Sequence, residues 1–202
     1  MTSNKLIIFI KAPRPGFVKT RLASAIGPSE AANAYRVLVE NLLGHLANLS
    51  EVELRFSPDD ALSEIQPWLG VGWIARPQSS GDLSCRLSSA FVEAFDAGAK
   101  RVVIIGSDCP DVTEEDVSAA WAALLTSDVV LGPAMDGGYW LIGLRQLQDA
   151  LFRDMVWSVP TVLEETLKRA EFEHLRVQLL RRLTDVDTGV EWSSFLNAAR
   201  MT

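Results

Sequence analysis

Val102-Val103-Ile104-Ile105-Gly106-Ser107-Asp108-Cys109-Pro110-Asp111 is the stretch from which the fold of this 202-residue chain can be read. Its first four residues are branched and apolar, with no polar alternation. Such a run fits a strand covered on both faces, as in a parallel sheet. The acid that follows is badly placed for packing. It is well placed for a metal, because ligands of open α/β sheets sit at the carboxyl ends of the strands.

Two more runs of this kind flank it, Leu6–Ile10 and Val129–Leu131. Amphipathic helices are expected between them. One spans 29–48, with Ala31, Tyr35, Leu38, Leu42, Leu46 and Leu49 at steps of three and four. A second spans 82–97, with Leu83, Leu87, Phe91 and Phe95 in line. A third spans 113–125, opens on Thr113-Glu114-Glu115-Asp116 and turns Val117, Trp121 and Leu124 inward. Weaker strands are expected at 51–56 and 71–75, and another, antiparallel in sense, at 137–144, after residue 136. A helix at 160–170 has Thr161 and Glu164 at capping-box spacing. A strand near 174–180 and a helix near 189–199 follow. Strands alternating with helices mean an α/β layered architecture, here a mostly parallel sheet flanked by helices in a single domain over 1–202.

Composition narrows the function. With 19 basic and 26 acidic residues the net charge is −7, against the basic excess usual for nucleic-acid binding. Two cysteines and two distant histidines suit neither a disulfide framework nor zinc. No apolar run approaches the ~20 residues of a membrane span, and the first residues hold no signal-peptide core. A cytoplasmic protein is expected; the oligomeric state is left open.

Three strand-exit loops leave in the same sense and should converge on one rim. Residues 11–21, KAPRPGFVKTR, hold Lys11, Arg14, Lys19 and Arg21 and no acid. Pro13 and Pro15 stiffen this loop, and Gly16 permits a turn. Phosphate is the natural anion for it, and a solvated surface loop is the plainer alternative. Gly16-x-x-Lys19-Thr20 is not a P-loop, since Val18 stands where Gly is needed. In the second loop Asp108 suits Mg²⁺ or Mn²⁺, or else hydrogen-bonds its own turn. In the third, Asp136-Gly137-Gly138 lets a ligand approach the backbone. Asp136 could orient a hydroxyl or act as a base, and turn chemistry alone would also explain it. Gly81-Asp82 either caps a helix or faces a base or ribose. Thr184-Asp185-Val186-Asp187-Thr188, read as a strand, puts its acids on one face. Asp187 is then a candidate second metal ligand or part of an exposed acidic edge.

Together KAPRPGFVKTRL, GSDCPDVT, LGPAMDGGYWLIGL and TDVDT resemble one bacterial family of nucleotide-diphospho-sugar transferases, formerly a domain of unknown function. Some of its members are labelled arsenosugar biosynthesis glycosyltransferases. The likeness runs from about residue 5 to 190. More distantly the chain is similar to guanylyltransferases that activate phosphoenolpyruvate or phospholactate. The resemblance implies a Rossmann-like, GT-A-type sheet. It also implies phosphates at Lys11, Arg14, Lys19 and Arg21, a metal at Asp108 with Asp187, and acceptor or sugar at Asp136, Gly137 and Gly138. The chain departs from the family at Ser84, where Gly is frequent, and at Ser158-Val159.

The reading the family favours is metal-dependent transfer from a nucleotide-sugar to a small acceptor, with Asp108, Asp136 and Lys19 as the catalytic group. The alternative is nucleotidyl transfer from a nucleoside triphosphate to a phosphorylated acceptor with pyrophosphate release. Four bases suit the larger charge of a triphosphate. A nucleotide-binding module without catalysis is the remaining alternative.

Overall fold

The computed structural model describes residues 4–199, so residues 1–3 and 200–202 of the expected domain lie outside the described residues. Along the chain the elements are β1 (Asn4–Lys11), α1 (Thr20–Ile26), α2 (Pro28–His45), β2 (Val52–Ser57), α3 (Leu62–Ile65), β3 (Ile74–Pro77), α4 (Leu83–Asp96), β4 (Arg101–Ile105), α5 (Glu114–Ala123), β5 (Val129–Pro133), β6 (Tyr139–Leu144), α6 (Val162–Phe172), β7 (Val177–Leu179) and α7 (Gly189–Ala199).

The seven strands form one sheet in the order β3-β2-β1-β4-β6-β5-β7. β1 pairs in parallel with both β2 and β4, and β5 with β7. Only β6 runs against its neighbours, antiparallel to β4 and to β5. β4 and β5 therefore point the same way, and the exits of β1, β4 and β5 reach one edge.

Successive side chains of β1 go to opposite faces, and both faces are covered. Leu6, Ile8 and Ile10 join Val39, Leu42 and Leu46 on one side. Ile7 joins Leu87 and Phe91 of α4, with Ile104 and Ile142, on the other. Burial on both faces is why the strands read as unbroken apolar runs, each fully buried aliphatic contributing about 1.5–3 kcal/mol. The Thr113–Asp116 capping box forms. Thr161 makes no side-chain cap bond, although the spacing suggested one.

Several boundaries differ from the periodicity. α2 stops at His45 and tightens into three-residue turns, where the apolar steps run on to Leu49. β3 begins at Ile74, three residues later than expected, because Gly70–Trp73 closes a turn first. The 184–188 segment is not a strand. Its Val186 N–H donates to the Asp108 carbonyl at 2.9 Å instead, which lays it against the β4 exit loop.

Candidate active site

The loop after β1 turns at Gly16, whose φ is +82°. It then forces Lys19 into the left-handed region, φ 47° and ψ 47°, at the start of α1. A non-glycine residue there costs roughly 1–3 kcal/mol and persists only where its surroundings hold it. Here they do. The Lys19 side chain is 2% exposed, and its ammonium donates to Asp108 and, at 3.0 Å, to Asp187 Oδ1. Burial works against the charge, but Asp108 and Asp187 outweigh it and its pKa rises.

Tyr35 of α2 ties two exits together. Its hydroxyl accepts from the Lys11 N–H at 2.8 Å and shares a 2.9 Å hydrogen bond with Ser107. Residues 183–187 bind the rest: the Met135 N–H donates to the Leu183 carbonyl at 3.0 Å. The loops enclose a cleft of about 480 Å³, within the usual size of a ligand site.

Of the anticipated residues, Lys11, Lys19, Asp108, Asp136 and Gly138 line this cleft. Asp187 meets it through Lys19 and is also 3.5 Å from Arg21, which stands largely exposed. Gly16 does not line it. Arg14 turns the other way, its guanidinium on Glu64 at 2.6 Å and on Asp60 at 3.0 Å. Asp82 caps α4, accepting from the Cys85 N–H at 2.9 Å. The Gly81 carbonyl accepts from Arg86 Nε at 3.0 Å.

Gly137 serves chain packing. A Cβ built on it would lie 2.0 Å from the Pro160 carbonyl oxygen, and its own carbonyl accepts from the Leu163 N–H at 3.0 Å. The third loop thereby docks the start of α6 over the cleft. The neighbouring Gly138 N–H donates to Asp136 Oδ1 at 2.9 Å.

Three cleft residues, Tyr35, Gln78 and Arg86, carried no signal of their own in the sequence, and a fourth, Asp185, stands out there only as a neighbour of Asp187. Tyr35 has the spacing of an ordinary core residue. Gln78 is buried, donating to the Ile10 and Arg55 carbonyls, and it accepts from Arg86 at 3.2 Å. Arg86 is thus held on the wall. Asp185, rather than Asp187, lines the cleft. The Cys109 thiol donates to it at 2.5 Å. Burial, then the nearby Asp108, Asp136 and Asp187, push its pKa up to about 6.

Burial is the larger part of that shift, and the rest comes from the carboxylates gathered at this rim. Asp108 and Asp187 converge on a single cationic point, which Lys19 takes. Among the described residues no three or more His, Cys, Asp or Glu are grouped as ligands. A two-carboxylate set nevertheless fits Mg²⁺, which is commonly held by one or two carboxylates and completed by substrate phosphates and water. A polyphosphate needs such a counter-charge to approach these acids.

Residues 44–159 match the model of a family described as uncharacterized protein conserved in bacteria, DUF2064. A phosphoenolpyruvate guanylyltransferase of Chloroflexus aggregans is 32% identical, the match covering 62% of this chain and 64% of the relative. A 2-phospho-L-lactate guanylyltransferase of Methanothermobacter thermautotrophicus is 31% identical, over 70% of this chain and 62% of the relative. The match thus spans less than two thirds of either relative's length. A solved structure from Desulfovibrio desulfuricans G20, provisionally named a nucleotide-diphospho-sugar transferase, is 36% identical with a TM-score of 0.86. The likeness covers 93% of this chain and 84% of that one. No helix among the described residues is long and apolar enough to cross a membrane.

Proposed function

This chain belongs to the DUF2064 family, and from that membership and the rim geometry we propose that it is a nucleotidyltransferase joining a nucleoside triphosphate to a phosphorylated small acceptor. The observation that carries the reading is the Lys19 ammonium held between Asp108 and Asp187 beside Lys11. This is a place for polyphosphate and its counter-ion. Both guanylyltransferase relatives support it and point to GTP as the donor.

In the reaction an oxygen of the acceptor phosphate bonds to the α-phosphorus. The bond from that phosphorus to its bridging oxygen breaks, and pyrophosphate leaves with the electron pair. Lys11 and Lys19 bear on the phosphates. Asp108 and Asp187 would hold Mg²⁺ or Mn²⁺, which supplies charge neutralisation on the phosphate oxygens. Asp136 orients the acceptor. A phosphate nucleophile is already ionised near neutral pH, so no strong general base is needed.

Glycosyl transfer from a nucleotide-sugar is the second reading, favoured by the name of the 36% identical structure. An acceptor hydroxyl then requires a base, and Asp136, whose Oδ1 accepts from the Gly138 N–H, is the wall carboxylate proposed for it. One experiment separates the two. The protein is incubated with Mg²⁺ and GTP plus phosphoenolpyruvate or 2-phospholactate, and separately with nucleotide-sugars. Pyrophosphate release supports nucleotidyl transfer; nucleoside diphosphate release from a nucleotide-sugar supports the other. Asp108→Asn should abolish either activity. Because Asp108 also offsets the buried Lys19 charge, the melting temperature should fall while circular dichroism at room temperature still shows a folded protein.

A further inference from the structure

The cleft is chemically split. Its charged residues at the strand exits are Lys11, Lys19, Asp108, Asp136 and Asp185, and Arg86 of α4 adds a cation on the wall beside Gln78. Its far end, between β6 and the start of α6, is walled by Phe9, Ile104, Tyr139, Ile142, Trp157 and Val162. Ser158 brings one hydroxyl to this end, and the side-chain polar atoms of Trp157 and Tyr139 are spent or buried. The Trp157 Nε1–H donates to Ser84 Oγ at 2.8 Å, and that hydroxyl donates to the Phe152 carbonyl at 2.7 Å. The indole therefore offers only its ring to the cleft, with Tyr139 edge-on to it at 6.2 Å between centroids. The Tyr139 hydroxyl is buried, with no hydrogen-bond partner among the described residues, and is closed off from solvent. No lysine, arginine or histidine in the lining comes from β6 or from residues 157–162. The wall is not a soft surface, since the close fit of Gly137 on Pro160 fixes it in place.

A sugar or a second carboxylate at that end would give up its water for little more than the Ser158 hydroxyl, with no cation from β6 or residues 157–162 to pair it. The nucleotide has hydrogen-bonding groups to meet at the opposite side, where Gln78 and Arg86 line the wall. We propose that the acceptor is a phosphate monoester with a hydrocarbon body, its phosphate at the Lys19–Asp108 rim and its apolar part against Trp157, Tyr139 and Ile142. This rests on the nucleotidyltransferase reading above and names the acceptor class for it.

The test uses the full chain with GTP and Mg²⁺. Phenyl phosphate and 3-methylbutyl phosphate are compared with glucose 1-phosphate and phosphoenolpyruvate, reading pyrophosphate release. Binding of phenyl phosphate is read by tryptophan fluorescence. The hydrocarbon phosphates should show kcat/KM at least about tenfold higher than the polar acceptors. Trp157→Ala should erase that advantage with little change in the KM for GTP, and Trp157→Phe, which keeps a ring, should retain most of it. A merely structural Trp157 would affect GTP and every acceptor alike. Faster release with glucose 1-phosphate or phosphoenolpyruvate overturns the inference and leaves nucleotidyl transfer standing. No pyrophosphate with any acceptor, but saturable phenyl phosphate binding lost in Trp157→Ala, overturns the reaction and supports the apolar subsite. Absence of both overturns the inference. So does a fluorescence change that is produced by GTP, not by phenyl phosphate, and that Trp157→Phe removes.

Discussion

Lys19 Nζ stands 3.0 Å from Asp187 Oδ1, across 168 positions of sequence. The same ammonium donates to Asp108, 89 positions away. One side chain thus joins the exits of β1 and β4 to the last segment before α7. Lys19→Met removes this cation and leaves two carboxylates facing each other. Its turnover should fall at least about 100-fold. Nucleotide affinity should also fall, and the gap from wild type should narrow as salt is raised, because screening weakens such contacts. Titration of GTP at two ionic strengths checks this; equal affinities at low salt would remove Lys19 from the phosphate site.

Lys11 and Arg14 carry equal charge but separate roles. Lys11 lines the cleft, whereas Arg14 is engaged by Glu64 and Asp60. Lys11→Ala should raise the KM for GTP about tenfold, the size of a lost charged contact. Arg14→Ala should leave it within about twofold and cost little stability, as exposed ion pairs do. Steady-state kinetics of the two variants decides between them, and a larger KM effect from Arg14 would reverse the assignment.

Gly137 sits at φ +91° with the Pro160 carbonyl where a Cβ would go. Gly137→Ala should destabilise the fold by about 2–4 kcal/mol, through both backbone strain and the displaced α6 start. Urea unfolding should show a lower midpoint at unchanged slope. A variant as stable as wild type would mean that the 158–162 segment moves freely.

Asp185 gives a pH signature. Its pKa is pushed up to about 6 from 3.8. Between those values the folded protein keeps a proton that the unfolded chain has lost. Stability therefore falls as pH rises from about 4 to about 6, and the loss persists above that. Asp185→Asn should match wild type near pH 4 and exceed it at pH 7–8, with the Cys109 thiol still able to donate to the amide oxygen. Melting curves across pH 4–8 measure this. A difference that does not vary with pH would show that Asp185 ionises normally.

The two levels of information part company at particular residues. Val102–Ile105 followed by Asp108 was legible because hydrophobic runs and turn chemistry are local. They placed β1, β4, β5 and the convergent rim, and the motifs placed the family. The same local signals could not sort the four cations of residues 11–21. Arg14 and Lys19 look alike until the chain brings Glu64 to one and Asp108 and Asp187 to the other. Nor could they separate Tyr35, spaced like any core residue, from the pin it makes between Lys11 and Ser107.

Sequence alone therefore determined the layered α/β sheet, the edge on which its exit loops converge and the families it resembles, since each follows from contacts within a few residues or from ordered motifs. Tertiary structure alone decided which charges share the cleft, that Asp185 rather than Asp187 lines it, and that its far wall is apolar. Those facts depend on segments up to 168 residues apart meeting at a distance of a few ångströms, and on whether water is excluded where they meet. No period or spacing in a chain records either one.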